Sequence, residues 1–163
     1  MVKSAGNDRG DHNVSPGFEH WVWDPDSSGW VVSTDIRDRD GGEDGYDCIS
    51  HRGVAKNIIS VGAVRKIGDI WTPVYTGPED VKMVFYSGWG PTDDDRIKPD
   101  VVSSGEVVYS TSVFKDKPEY INAGGTSMAA PGIAGSLNLL VRYYELTHAG
   151  ETPLSSTMKA LLI

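Results

Sequence analysis

The chain has 163 residues, of which 39% are apolar and 23% charged, with a formal net charge of −8 and a pI near 4.8. That length supports one domain with a hydrophobic core, or part of one, and not two independent domains. The acidic balance argues against nucleic acid or an anionic membrane as partner, no segment has the apolar length of a bilayer span, and the single Cys48 excludes an internal disulfide and a metal site of paired thiolates.

In chain order, Met1-Val2-Lys3-Ser4-Ala5-Gly6-Asn7 lacks the apolar run of a secretory signal. Taken alone, its Ala5-Gly6-Asn7 end is a turn after a strand. Residues 8–53 are rich in Asp, Gly and Ser, interleaved with Trp21, Trp23, Trp30 and Tyr46. This pattern predicts ordered loops or a short hairpin pinned by aromatics, with a strand at Trp30-Val31-Val32-Ser33-Thr34. Asp24, Asp26, Ser28, Gly29 and Asp35 fit the spacing of a calcium loop. Pro25 and the β-branched Val31-Val32 do not fit a helix-loop-helix, and solvated loop carboxylates are the alternative. Cys48 has no basic neighbour in sequence to lower a thiol pKa and reads as a packing residue.

From Asn57 the character changes. Ile58-Ile59-Ser60-Val61-Gly62-Ala63-Val64 is the short, β-branched apolar run of a strand buried on both faces, predicted to be a central parallel strand. Val81-Lys82-Met83-Val84-Phe85 predicts another strand, followed by a turn-rich stretch over residues 87–95. Lys98 to Ser103 and Val107 to Thr111 read as short extended segments broken by Gly105. Beyond Gly125, Ile133, Leu137, Leu140, Val141 and Tyr144 recur at spacings of three and four, which predicts a helix over 126–149 stopped by Gly150. Thr152-Pro153 predicts the cap and first position of a further helix, whose apolar Leu154, Met158, Leu161 and Leu162 run to the last residues. Strands followed by crossover helices imply an α/β domain with a mostly parallel sheet, its functional groups gathered at the carboxyl ends of strands.

The densest chemical signal is Gly124-Gly125-Thr126-Ser127-Met128-Ala129-Ala130-Pro131-Gly132-Ile133-Ala134-Gly135. Paired glycines allow close backbone approach to a substrate, and the serine then sits in the first turn of a helix, where unsatisfied N–H groups face developing negative charge. A hydroxyl placed there can attack a carbonyl while its own N–H helps to hold the oxyanion. A bare Gly-Thr-Ser would be only a helix cap; the full run is far more specific.

That run strongly resembles the nucleophile motif of the subtilisin-like (S8) serine peptidases. Ser4-Ala5-Gly6-Asn7 resembles the family strand that delivers an oxyanion-hole asparagine. Residues 57–64, 86–92 and 96–102 resemble the family's core strand and the loop and strand before the nucleophile, in the same order. The resemblance implies a three-layer α/β domain with a mostly parallel sheet flanked by helices. It implies a serine endopeptidase that hydrolyses polypeptides through an acyl-enzyme on Ser127, with Asn7 in the oxyanion hole and Ser4, Ala5, Gly6, Gly125 and Thr126 forming substrate-binding backbone. No cofactor is implied for the chemistry; structural calcium and a secreted or extracellular location are. Residues 8–53 stand as an acidic insertion of the kind carried by secreted bacterial relatives.

Family catalysis uses an aspartate, a histidine and then the serine in chain order, both partners preceding the oxyanion strand. Here His12, His20, His51 and His148 all follow Asn7, and none has a Gly-Thr-His-Val-type flank. The expectation is therefore a partial catalytic domain, truncated at both ends, whose missing partner is the N-terminal half and which is nearly inactive alone. Two rivals are an inactive fragment or pseudo-peptidase that binds peptide, and a calcium-binding adhesive module built on the acidic insertion.

Overall fold

The computed structural model describes residues 1–10, 17, 19–34, 48–67, 75–114 and 117–163. Its centre is a parallel three-stranded sheet in the order β1-β4-β5, from β1 (Val2–Ser4), β4 (Ile59–Val64) and β5 (Val101–Ser104). The register pairs Val2 with Ile59 and Ser4 with Val61 on one edge of β4, and Val61 with Val101 and Val64 with Ser104 on the other. Every residue of β4 is buried, as an apolar run without alternation requires of a strand covered on both faces.

Ile59, Val61 and Ala63 project from one face of β4 into the core with Val84 and Ala129, and Val2, Val101, Ile133 and Leu137 pack around them. Each such Val or Ile contributes about 1.5–3 kcal/mol by leaving water. Ala129, Ile133 and Leu137 belong to α1 (Thr126–Thr147), so the helical stripe expected from the sequence is the surface that seats α1 on the sheet. The helix ends two residues before the expected boundary, where the Gly150 N–H donates to Glu145 O at 2.8 Å.

Two antiparallel hairpins leave this centre. β2 (His20–Asp24) pairs with β3 (Gly29–Ser33), confirming a hairpin within the acidic stretch and shifting the predicted strand by one residue. β6 (Val108–Phe114) pairs with β7 (Lys117–Ala123) and leads directly into the glycines before α1.

Two expectations need correction. Val81 to Phe85 is not a strand but a single bridge, Met83 to Val64. The Ala63 N–H is taken by the buried Ser87 Oγ at 2.9 Å, and Ser87 N turns back to Val84 O, so the segment curls away after one rung and leaves Phe85 exposed. The last helix, α2 (Ser155–Leu162), starts after Thr152-Pro153, because Leu154 keeps an extended conformation with ψ 149°.

A buried ion cluster closes the amino-terminal side of the sheet. Lys98 Nζ lies 2.6 Å from Asp100 Oδ2 and Lys159 Nζ 2.9 Å from Asp100 Oδ1. Asp100 also accepts the Ser60 N–H at 2.7 Å, and Lys159 of α2 donates to Ile58 O at 2.9 Å. The cluster thereby ties α2 to β4 and β5.

Candidate active site

β1 ends at Ser4, and Ala5 N still donates to Val61 O at 2.8 Å, so strand pairing carries the chain rigidly up to Gly6. Gly6 has φ +106°, and a Cβ there would lie 2.8 Å from both Ser50 Cβ and Asp8 Oδ2. Only glycine turns the chain at this point, and the turn delivers Asn7 to the carboxyl end of the parallel sheet. From the other direction, β7 and Gly124-Gly125 bring in the start of α1, with Gly125 as its N-cap.

Asn7 and Thr126 meet there. Asn7 Oδ1 accepts the Thr126 backbone N–H at 3.0 Å and the Thr126 hydroxyl at 2.9 Å, while Gly6 N–H donates to Thr126 Oγ1 at 3.2 Å. A backbone N–H can only donate, so the Asn7 atom facing it is the carbonyl oxygen, which leaves the amide nitrogen as the outward donor. Gly125 sits beneath that amide at φ +150°. A Cβ there would be 3.2 Å from Asn7 Nδ2 in a backbone conformation that side chains rarely adopt.

Ser127 follows as the second residue of α1 and is exposed, as is Asn7, whereas Thr126 is 1% exposed. The first four N–H groups of a helix have no intrahelical partner. Here Gly125 N–H goes to Gly105 O at 2.8 Å, Thr126 N–H to Asn7, and Met128 N–H to Gly125 O at 3.0 Å, while Ala129 N–H to Gly125 O opens the helical ladder. The Ser127 N–H is the one left without a partner among the described residues, at the positive end of a 22-residue helix. The exposed Ser127 and its free N–H thus stand at a helix N-terminus whose preceding residue, Thr126, is hydrogen-bonded to the Asn7 amide.

Beside Ser127 lies an open cleft of about 420 Å³, lined by Val2, Lys3, Ser4, Ala130, Pro131 and Ala134. Of the substrate-binding residues expected from the sequence, Ser4 is on this wall. Ala5, Gly125 and Thr126 are buried beneath the site and Gly6 half-buried beside it. Val2 and Lys3 were not singled out as substrate-binding residues by sequence reasoning, because neither residue type carries a signal at those positions. Behind the glycines, the Tyr86 hydroxyl donates to Gly105 O at 2.8 Å. Burial and the nearby Glu106 carboxylate push the Tyr86 phenol up, so it stays protonated and keeps that donation.

No histidine is hydrogen-bonded to Ser127 among the described residues. His148 stacks on Tyr144 at 3.8 Å at the far end of α1, roughly 30 Å from Ser127 along the helix axis. His51 is exposed on the loop after Ser50, and His12 lies outside the described residues. In the proposed calcium loop, Asp24 Oδ1 accepts Asp26 N–H at 3.0 Å and Oδ2 accepts Ser27 N–H at 3.2 Å, which closes the β2–β3 turn. Asp35 and residues 40–47 of the acidic stretch lie outside the described residues.

Comparison with known proteins places these features in context. A family model described as the subtilase family matches residues 1–163. A C5a peptidase of Streptococcus pyogenes serotype M3 is 36% identical over 99 residues, covering 61% of this chain and 8% of that protein. Subtilisin-like protease SBT2.5 of Arabidopsis thaliana is 31% identical over 141 residues, covering 76% of this chain and 17% of its own length. The chain thus spans less than a fifth of these relatives. Among solved structures, the Clostridium perfringens CspB protease superposes with a TM-score of 0.54 at 23% identity, covering 78% of this chain and 24% of that one. The self-cleaved protease domain of PatA has the same TM-score at 19% identity, covering 98% of this chain and 39% of its own. At these identities the superpositions speak to the fold.

Proposed function

The chain belongs to the subtilase family, and from that premise we propose that it carries the nucleophile and oxyanion hole of a serine endopeptidase acting on polypeptides. The observation that carries this reading is an exposed Ser127 with an unpartnered N–H at a helix N-terminus, next to Thr126, whose N–H and hydroxyl both tie it to the Asn7 amide. Ser127 Oγ attacks the scissile carbonyl carbon, and the carbonyl oxygen gathers negative charge between Ser127 N–H and Asn7 Nδ2. The tetrahedral species collapses to an acyl-enzyme on Ser127 with release of the amine, and water then hydrolyses the ester.

Thr126 acts through Asn7 rather than on substrate, since its hydroxyl and N–H are both spent on the Asn7 carbonyl. The cleft along Val2, Lys3 and Ser4 supplies the wall against which substrate lies.

Proton removal from Ser127 needs a base, and an unassisted serine hydroxyl is a poor nucleophile near neutral pH. We assign the base and its orienting acid to residues outside this chain, in a longer protein of which it would be a part, and a secreted location to that protein. Casein hydrolysis tests this. A longer protein that carries this chain together with such a base cleaves casein, its Ser127→Ala variant does not, and the 163-residue chain alone shows little or no cleavage. Robust cleavage by the chain alone, abolished in Ser127→Ala, would overturn the assignment of the base.

A further inference from the structure

Gly88 and Trp89, adjacent in sequence, hold the chain on either side of Asn7. The Gly88 N–H donates to Gly6 O at 2.9 Å, one residue before Asn7. The Arg9 guanidinium, two residues after Asn7, lies 3.6 Å over the Trp89 ring. Arg9 sits in the 3-10 turn Asp8–Gly10, which follows Asn7 directly, so the stack holds the exit of the chain as the Gly88 bond holds its entry. Arg9 and Trp89 are both half-buried, where a guanidinium on an indole face gains more than it does in open water.

Trp89 is a fixed support for that stack. Its carbonyl accepts the Cys48 N–H at 3.0 Å, and its N–H donates to the Cys48 thiol at 3.4 Å, with Cys48 fully buried. On its other side the Gly90 N–H donates to Lys98 O at 2.8 Å, and the Lys98 ammonium is paired with Asp100. Behind the turn, the Ser50 N–H donates to Ala5 O at 2.8 Å.

Thr126 alone does not fix Asn7. Both of its hydrogen bonds to the Asn7 side chain end on one atom, the carbonyl oxygen, so they orient the amide but leave the backbone that carries it to be held by other contacts. An oriented group keeps its place only where its supporting shell is itself locked.

We infer that Gly88-Trp89 is a positioning clamp for Asn7, and that Arg9 locks it by stacking on the Trp89 ring. Arg9 and Trp89 act through Asn7 and not on substrate. The lock needs a cation over an aromatic face, so lysine reproduces it in part and glutamine, of similar length, does not. Its catalytic meaning rests on the reading of Asn7 as an oxyanion donor, but the clamp itself is measurable without turnover.

Nuclear magnetic resonance of the 163-residue chain reads the clamp at the Thr126 amide proton, whose acceptor is Asn7 Oδ1. In Arg9→Gln that resonance is expected to move upfield as the hydrogen bond loosens, while the amide resonances of β4 stay in place. A mere loss of global stability would move neither, because chemical shifts report the folded state. Arg9→Lys restores most of the Thr126 shift. In the longer protein proposed above, Arg9→Gln should lower kcat about three- to tenfold with KM nearly unchanged, and Arg9→Lys should recover most of it. Trp89→Leu should give the same loss, and the two together no more than the larger single loss, since they break one contact. The Arg9 variants decide the matter if Trp89→Leu does not fold. A Thr126 resonance unmoved in Arg9→Gln, or equal effects of Arg9→Gln and Arg9→Lys, would overturn the inference. A shifted Thr126 resonance with kcat unchanged leaves the clamp standing and counts against the oxyanion reading of Asn7 alone.

Discussion

The side-chain carbonyl of Asn7 accepts both the backbone N–H and the hydroxyl of Thr126, at 3.0 and 2.9 Å, across a sequence separation of 119 residues. The residue before Ser127 thereby fixes that the carbonyl end of the Asn7 amide faces the helix. Thr126→Val keeps the shape and removes the hydroxyl. In the longer protein proposed above it should lower kcat for a peptide substrate about tenfold with little change in KM, because an Asn7 amide held by one hydrogen bond fewer is less well oriented toward the transition state. Thr126→Ser should recover most of that loss, which a purely space-filling role for Thr126 would not allow.

Asn7→Ala removes the amide donor itself. Loss of a single oxyanion donor costs about 10²–10³ in kcat, and steady-state kinetics on the same substrate should show a loss of that size with KM nearly unchanged. A drop confined to KM would make Asn7 a substrate-binding residue instead.

Gly125→Ala places a Cβ 3.2 Å from Asn7 Nδ2 at φ +150°. Backbone strain of about 1–3 kcal/mol and displacement of the amide should act together. The variant is expected to melt at a lower temperature and to lose activity beyond what the stability change explains. A variant with an unchanged melting temperature and activity would show that Asn7 does not depend on that approach.

Asp100 holds Lys98 and Lys159 on the far side of the sheet. Burial opposes its charge, but hydrogen bonds from Lys98, the Ser60 N–H and Lys159 outweigh that and hold its carboxyl below the usual range. A carboxylate whose folded pKa is depressed contributes stability that is fully present above its unfolded pKa of about 3.9. That stability is lost as pH falls through the lower folded value. Asp100→Asn leaves the Lys98 ammonium, only 3% exposed, without its counter-charge, and should cost about 3–5 kcal/mol near neutral pH by urea denaturation. The difference between variant and wild type should shrink as pH falls below the unfolded value and Asp100 protonates.

What the sequence made legible follows from how local each signal is. β4 announces itself because six buried residues in a row leave no polar alternation, and α1 because its stripe of Ile133, Leu137 and Tyr144 repeats every three to four residues. β7, in contrast, was not foreseen. Lys117-Pro118-Glu119-Tyr120-Ile121-Asn122-Ala123 has neither alternation nor an apolar run, and it is a strand because β6 pairs with it. Val81 to Phe85 has the composition of a strand, but a serine five residues after Lys82 captures the Ala63 N–H that a longer ladder would have used. At the site, Ser127 and Asn7 were legible as motifs. The bond network between Asn7 and Thr126 was not, since it depends on two segments brought together by the parallel sheet. The Lys98, Asp100 and Lys159 cluster was hidden for the same reason.

The most direct measurement is labelling of the complete protein with a fluorophosphonate probe, which reacts with serine hydroxyls that a base and an oxyanion hole have activated, followed by mass spectrometry of its peptides. The account predicts one modified site, Ser127, with labelling abolished in Ser127→Ala and strongly slowed in Asn7→Ala. Labelling at another serine, or casein cleavage that survives Ser127→Ala, would contradict it.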